Sequence, residues 1–95
     1  AAGGYDHNWC LRGPAGALRL AATLADPASG RSLDLWTTAP GVQVYTGDHF
    51  DPPHAAIAFE AQCWPNSPNR LDFPSPVLRP GSTYRHHTTY TLTPK

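Results

Sequence analysis

The 95-residue sequence predicts an all-β fold, an antiparallel β-sandwich, and three observations carry that expectation. Apolar residues recur at every second position rather than at the three-and-four spacing of a helix face. Eleven prolines and eight glycines punctuate the chain, and no proline-free stretch keeps helical spacing over three turns. What remains is five or six short strands, enough for a small sandwich or for part of a larger one.

The elements follow in order. Residues 17–25 alternate, with Leu18, Leu20, Ala22 and Leu24 on one side and Arg19 and Thr23 on the other. Asp26-Pro27-Ala28-Ser29-Gly30 supplies turn residues, and residues 31–37 alternate again, Leu33, Leu35 and Thr37 against Ser32, Asp34 and Trp36. Together these predict a β-hairpin with a loop of about five residues. Pro40-Gly41 breaks the chain before a strand over 42–46, in which Val42 and Val44 face away from Gln43 and Tyr45. A loop containing Asp51-Pro52-Pro53 leads to a strand over 55–64, with Ile57 and Phe59 on one face and Ala58, Glu60 and Gln62 on the other. The proline-rich stretch 65–81 reads as irregular coil. Residues 82–93 read as a long last strand with Tyr84, His86, Thr88, Tyr90 and Leu92 on one face.

Composition excludes several classes. Hydrophobic residues make up 40% and charged residues 15%, too apolar for disorder and too polar for a membrane protein. Seven basic residues balance seven acidic ones, so the chain lacks the electrostatic footprint of a nucleic-acid binder. No apolar run approaches the ~20 residues that span a bilayer. The polar N-terminal residues hold no recognisable signal peptide, and the expected compartment is the cytoplasm. Cys10 and Cys63 allow one bridge, but their spacing fits neither a metal knuckle nor a redox pair; reduced, partly buried thiols are the expectation. A chain this short buries roughly 60–65% of its unfolded surface. Without staples, it reads as a single and incomplete domain over residues 1–95.

Glu60 is the residue most in need of a reason, being the only glutamate and lying in an otherwise uncharged strand. It is paired with Arg70, Arg79 or Arg85, or solvated on an open face, or it works as a proton acceptor. Tyr5-Asp6-His7-Asn8-Trp9 gathers an acid, an imidazole, an amide and two aromatics. Such a set stacks on sugar rings and bridges vicinal hydroxyls, or else forms a capped turn before the first strand. His86 and His87 are adjacent and point to opposite faces of a strand. With no HxH or HExxH pattern, no metal is expected.

Four blocks then carry a family resemblance. Residues 4–9, Gly-Tyr-Asp-His-Asn-Trp, resemble the GYDHNF segment of aldose 1-epimerases (galactose mutarotases). Residues 37–47 resemble that family's TTxPGVQFYTGN strand. Phe59-Glu60-Ala61-Gln62 with Pro65-Asn66-Ser67-Pro68-Asn69 is similar to LExQxxPDSPN, and residues 73–84 are similar to FPSxxLRPGxxY. The blocks keep the family's order and cover nearly the whole chain.

The resemblance implies the C-terminal segment of a large galactose-mutarotase-like β-supersandwich. It implies interconversion of the α and β anomers of free aldoses such as galactose and glucose, with a monosaccharide as substrate and no cofactor. By the same resemblance Glu60 is the catalytic base, while Asp6 and Gln43 bind the sugar. The family's general-acid histidine, a second pocket histidine and a sugar-binding arginine have no counterpart here, so an N-terminal segment of the same enzyme is the expected partner. Cys63-Trp64 and Arg70-Leu71-Asp72 depart from the family pattern. A phosphosugar variant would need Arg70, Arg79 and Arg85 as a cluster. The alternative is a non-catalytic carbohydrate-binding β-sandwich using Trp9, Tyr5, Asp6 and Gln43.

Overall fold

The computed structural model describes residues 3–94. It is all-β, with six strands and one short 3-10 turn: β1 (Asp6–Cys10), β2 (Arg19–Ala25), β3 (Ser32–Thr37), β4 (Gly41–Tyr45), β5 (Ala58–Gln62), the 3-10 turn Ser67–Asn69, and β6 (Thr88–Thr93). The strands form two antiparallel three-stranded sheets, ordered β1-β4-β5 and β2-β3-β6. The chain divides correspondingly into two compact units, residues 1–11 with 40–77 and residues 12–39 with 78–95. Among the described residues no helix is long and apolar enough to cross a membrane.

In the first unit β4 is the central strand. The rows across the sheet are Asp6–Tyr45–Ala58, His7–Val44–Phe59, Asn8–Gln43–Glu60, Trp9–Val42–Ala61 and Cys10–Gly41–Gln62. Alternation along each strand gives one face bearing Asp6, Asn8, Gln43, Tyr45, Glu60 and Gln62. The opposite face bears Val42, Val44, Phe59 and Trp9. Val42 is fully buried, as a β-branched residue in the middle of a central strand should be. The last strand of this sheet is shorter than the expected 55–64. β4 stops at Tyr45, opposite Ala58, so residues before Ala58 have no strand to pair with.

In the second unit β2 and β3 form the expected hairpin. Its loop is fastened by Asp26, whose amide donates to the Arg31 carbonyl at 2.9 Å and whose carbonyl accepts from Gly30 at 2.8 Å. Gly30 has φ 76°, a conformation that favours glycine. Hydrogen bonds from the Ser29 hydroxyl and the Ala28 amide hold the Asp26 carboxyl below its ordinary range. The predicted faces of β2 need one correction. The register runs Leu20↔Trp36 and then Ala22↔Leu35, so Ala21 is an extra residue, a β-bulge. The bulge moves Leu20 to the Trp36 face, away from Leu24, with which strict alternation had grouped it.

Leu35, between Ala22 and Tyr90 in the register, and Thr37, beside Thr88, are fully buried. The Thr37 hydroxyl satisfies itself twice, accepting from the Ala39 amide at 3.1 Å and bonding the Thr88 hydroxyl at 2.9 Å. The last strand starts at Thr88 rather than at Ser82. Its partner β3 ends at Thr37, and one further bond, from the Thr38 amide to the His87 carbonyl at 3.0 Å, closes the ladder. Tyr84 and His86 therefore precede the strand. Leu24, Leu33 and Leu92 make a cross-strand row beside an open cleft of about 330 Å³.

Leu35→Ala removes the only leucine among the fully buried described residues. It is expected to cost about 2–5 kcal/mol, seen as a lower urea midpoint at unchanged slope.

Candidate active site

The polar face of β1-β4-β5 is where the three residues singled out in the sequence meet. Glu60 and Gln43 are direct partners across β5 and β4, and Asn8 extends the same row onto β1. Asp6 lies two residues before Asn8, hence on the same face. The Gln43 amide Nε2 donates to Asp6 Oδ1 at 2.9 Å, a charge-assisted bond that fixes both side chains. Gln43 Oε1 is enclosed and has no hydrogen-bond partner, and the same is true of Asn8 Oδ1. Unpaired enclosed acceptors are uncommon, and each costs roughly 1–3 kcal/mol when left so. Glu60 itself is exposed and forms no ion pair among the described residues.

Both ends of this sheet are clamped. At one end the Tyr5 amide donates to Thr46 Oγ1 at 2.8 Å and the Thr46 amide to the Tyr5 carbonyl at 2.9 Å. Thr46 Oγ1 also lies 3.0 Å from Asp48 Oδ1, and His54 Nδ1 lies 2.8 Å from the Thr46 carbonyl. At the other end the Leu11 amide donates to the Pro40 carbonyl at 2.9 Å. The Trp64 indole N–H donates to that same carbonyl at 2.8 Å. Gly41 is required there by space: a Cβ would lie 2.6 Å from Asn8 Oδ1 and 2.8 Å from Trp64 Cδ1. The missing side chain leaves room for an amide and an indole on the sheet.

Beyond Trp64 the coil packs by rings and charge. Trp64 meets Phe73 edge-on at 5.0 Å, and the Arg70 guanidinium lies 4.5 Å from the Phe73 centroid. Asp72 grips Arg70 through two bonds of 2.6 and 2.9 Å. The Arg70 bond holds the Asp72 carboxyl below its ordinary 3.8. Of the alternatives open for Glu60, pairing with Arg70 is taken up instead by Asp72.

The remaining expectations fall out as follows. His7 and Trp9 stand on the face opposite Asp6, where Tyr5 contacts their rings at 5.9 and 6.1 Å. The set Tyr5, Trp9, Asp6 and Gln43 therefore does not share one face. The segment 5–9 is neither a turn nor a cap but the edge strand β1 with one extra residue. Cys10 and Cys63 are free, and both are exposed rather than partly buried. None of the strand positions on the polar face is a histidine. Asn8 entered only as the amide of the Tyr5–Trp9 set, not as a neighbour of Glu60, and Trp64 was not singled out as a site residue. Period two counted from Asp6 was the available signal for Asn8, while Trp64 is positioned by a packing contact that no periodicity encodes.

Fold and site together define an antiparallel β protein whose polar sheet face carries two exposed carboxylates, Asp6 and Glu60, beside two enclosed amide oxygens. The family model for aldose 1-epimerase matches residues 1–91, and the chain belongs to that family. It is 41% identical over 96 residues to the galactose mutarotase of Mus musculus and to that of Homo sapiens, in each case across 90% of this chain. It is 32% identical over 99 residues to the aldose 1-epimerase of Escherichia coli (strain K12), across 92% of this chain. The chain spans 28% of the length of the two mutarotases and 29% of the bacterial relative.

Two outcomes check this geometry. Gly41→Ala is expected to destabilise by about 1–3 kcal/mol, read by thermal melting, and to shift the Trp64 indole N–H resonance. Arg70→Gln is expected to raise the Asp72 titration midpoint, followed by its carboxyl carbon shift. Because folding depresses the Asp72 pKa, this pair contributes at pH values above 3.8 and its contribution fades as pH falls through the folded value.

Proposed function

We propose that these residues are the base-bearing, C-terminal part of an aldose 1-epimerase acting on free aldoses such as galactose and glucose. The observation that carries the reading is the placement of Glu60 in register with Gln43 and Asn8, on the face where Gln43 is bonded to Asp6. Family membership supplies the reaction class.

In this reading the Glu60 carboxylate takes the proton of the anomeric hydroxyl. As the C1–O bond inside the ring breaks, the ring oxygen receives a proton from a general acid, and the open-chain aldehyde results. Rotation about C1–C2 presents the other carbonyl face. Closure returns both protons and gives the opposite anomer. Nothing is oxidised or reduced and no group leaves, so the steps balance without a cofactor. Acid and base must work from opposite sides of the sugar, each within hydrogen-bond reach. The polar sheet face supplies the base, and the acid comes from a segment outside these 95 residues.

Asp6 and Gln43 orient the sugar. Asp6 Oδ1 is committed to Gln43 Nε2, so Gln43 holds the exposed Asp6 carboxylate in place and its second oxygen accepts from a sugar hydroxyl. A row of acceptors suits a neutral polyol, which brings the donors. It suits a phosphate or a carboxylate poorly, because those bring further acceptors and negative charge.

Glu60→Gln in the complete enzyme is expected to slow anomer exchange of galactose by ~10²–10⁴, followed by NMR exchange or polarimetry. A rate within twofold of wild type would remove Glu60 from the base role. The 95-residue chain alone, once shown to be folded, is expected not to accelerate exchange above buffer. Acceleration would mean that the chain supplies its own acid.

A further inference from the structure

We propose that Trp64 is a specificity-determining residue of this site, the wall that ends the acceptor row on the Gly41 side. The inference rests on the sugar-binding reading of the polar face and adds a residue to it. Gly41 lies two positions before Gln43 on β4, so the direction in which its side chain would project is the face of Gln43 and Glu60. That direction is filled by Trp64 Cδ1, 2.8 Å from where a Cβ would sit, and by Asn8 Oδ1 at 2.6 Å. The indole therefore stands on the polar face, about 7 Å along the strand from Gln43.

The wall is held rigidly. The indole N–H is bonded to the Pro40 carbonyl, the ring edge meets Phe73, and Phe73 lies under Arg70, which Asp72 grips. The Ser67 hydroxyl donates to the Trp64 carbonyl and fastens the backbone at the same point. With its N–H used, Trp64 offers a ligand only apolar surface, and it is half-buried rather than enclosed. The enclosed, unpartnered Asn8 Oδ1 lies against the same Gly41 gap as the indole.

The chemistry follows from these positions. Asp6, held by Gln43, takes hydroxyls, while Trp64 takes the C–H surface of the ring and leaves no room for a bulky substituent pointing toward it. A substituted aldose is excluded by contact with the indole rather than by lack of hydrogen bonds.

The test compares galactose, N-acetylgalactosamine and 6-O-methylgalactose as substrates of the complete enzyme carrying Trp64→Leu or Trp64→Phe. Trp64→Leu is expected to raise the galactose KM at least fivefold with kcat changed less than twofold. It is also expected to raise the kcat/KM of at least one substituted sugar relative to galactose at least tenfold. Trp64→Phe keeps a flat wall and should stay within threefold of wild type in both respects. Unchanged KM and unchanged ratios in the folded leucine variant would overturn the proposal. So would a loss confined to kcat, which would mean that Trp64 acts through the position of Glu60. A galactose titration of Glu60→Gln enzyme, reading the Trp64 indole N–H resonance, separates the two readings. A shift with galactose supports the wall whatever Glu60 does, and no shift while the Gln43 side-chain amide responds counts against it.

Discussion

The site depends on one constraint, the pairing register on either side of β4. Side chains alternate across a strand, so a slip of one residue would exchange the Gln43 face for the Val42 face. The apolar rows Trp9–Val42–Ala61 and His7–Val44–Phe59 resist that exchange, because it would bring Val42 out of burial. The clamps at Thr46 and Pro40 hold the two ends. Asp6 and Gln43, 37 positions apart in sequence, reach hydrogen-bond distance only because the register is fixed by groups on the other face. The apolar side decides which residues the polar side can bring together.

Gly41 shows the same economy from the opposite direction. A residue without a side chain lets an indole approach the strand closely enough to stand beside Asn8. The proline-rich coil then needs little regular structure to be well placed. The indole bond to Pro40, the Ser67 hydroxyl, one ring contact, one stacked guanidinium and the paired Arg70–Asp72 bonds carry it from Trp64 to Asp72.

Much of this was legible in the sequence, for a physical reason. Period-two patterning survives wherever one face of a sheet is more buried than the other, and it located β2 to β5 to within a few residues. It also puts Glu60 on the face opposite Phe59 and Gln43 on the face opposite Val42. Three things were not legible. The β1 segment mixes polar and aromatic residues on a strand with little burial, so its alternation of Asp6, Asn8 and Cys10 against His7 and Trp9 looked like a loop. The Ala21 bulge inserts a residue without leaving a compositional mark. The ends of β5 and β6 are set by where their partners stop, which is information held elsewhere in the chain. The family blocks pointed to Asp6, Gln43 and Glu60, which the structure puts on one face, but said nothing of the gap over Gly41, since a packing contact between residues 41 and 64 has no signature in either segment.

The interleaving of the two units has a consequence for the time course of folding. Residues 12–39 and 78–95 build one sheet, and the residues between and before them build the other. Two of the four strand pairings, β2–β3 and β4–β5, join neighbours in sequence, while β1–β4 and β3–β6 do not. Thr37 meets Thr88 across a separation of 51 residues, and β1 waits for β4 in the same way. Closing such long loops comes late and slowly. During synthesis on the ribosome, the hairpin has its partner strand almost at once. Its sheet stays one strand short until β6 has left the exit tunnel.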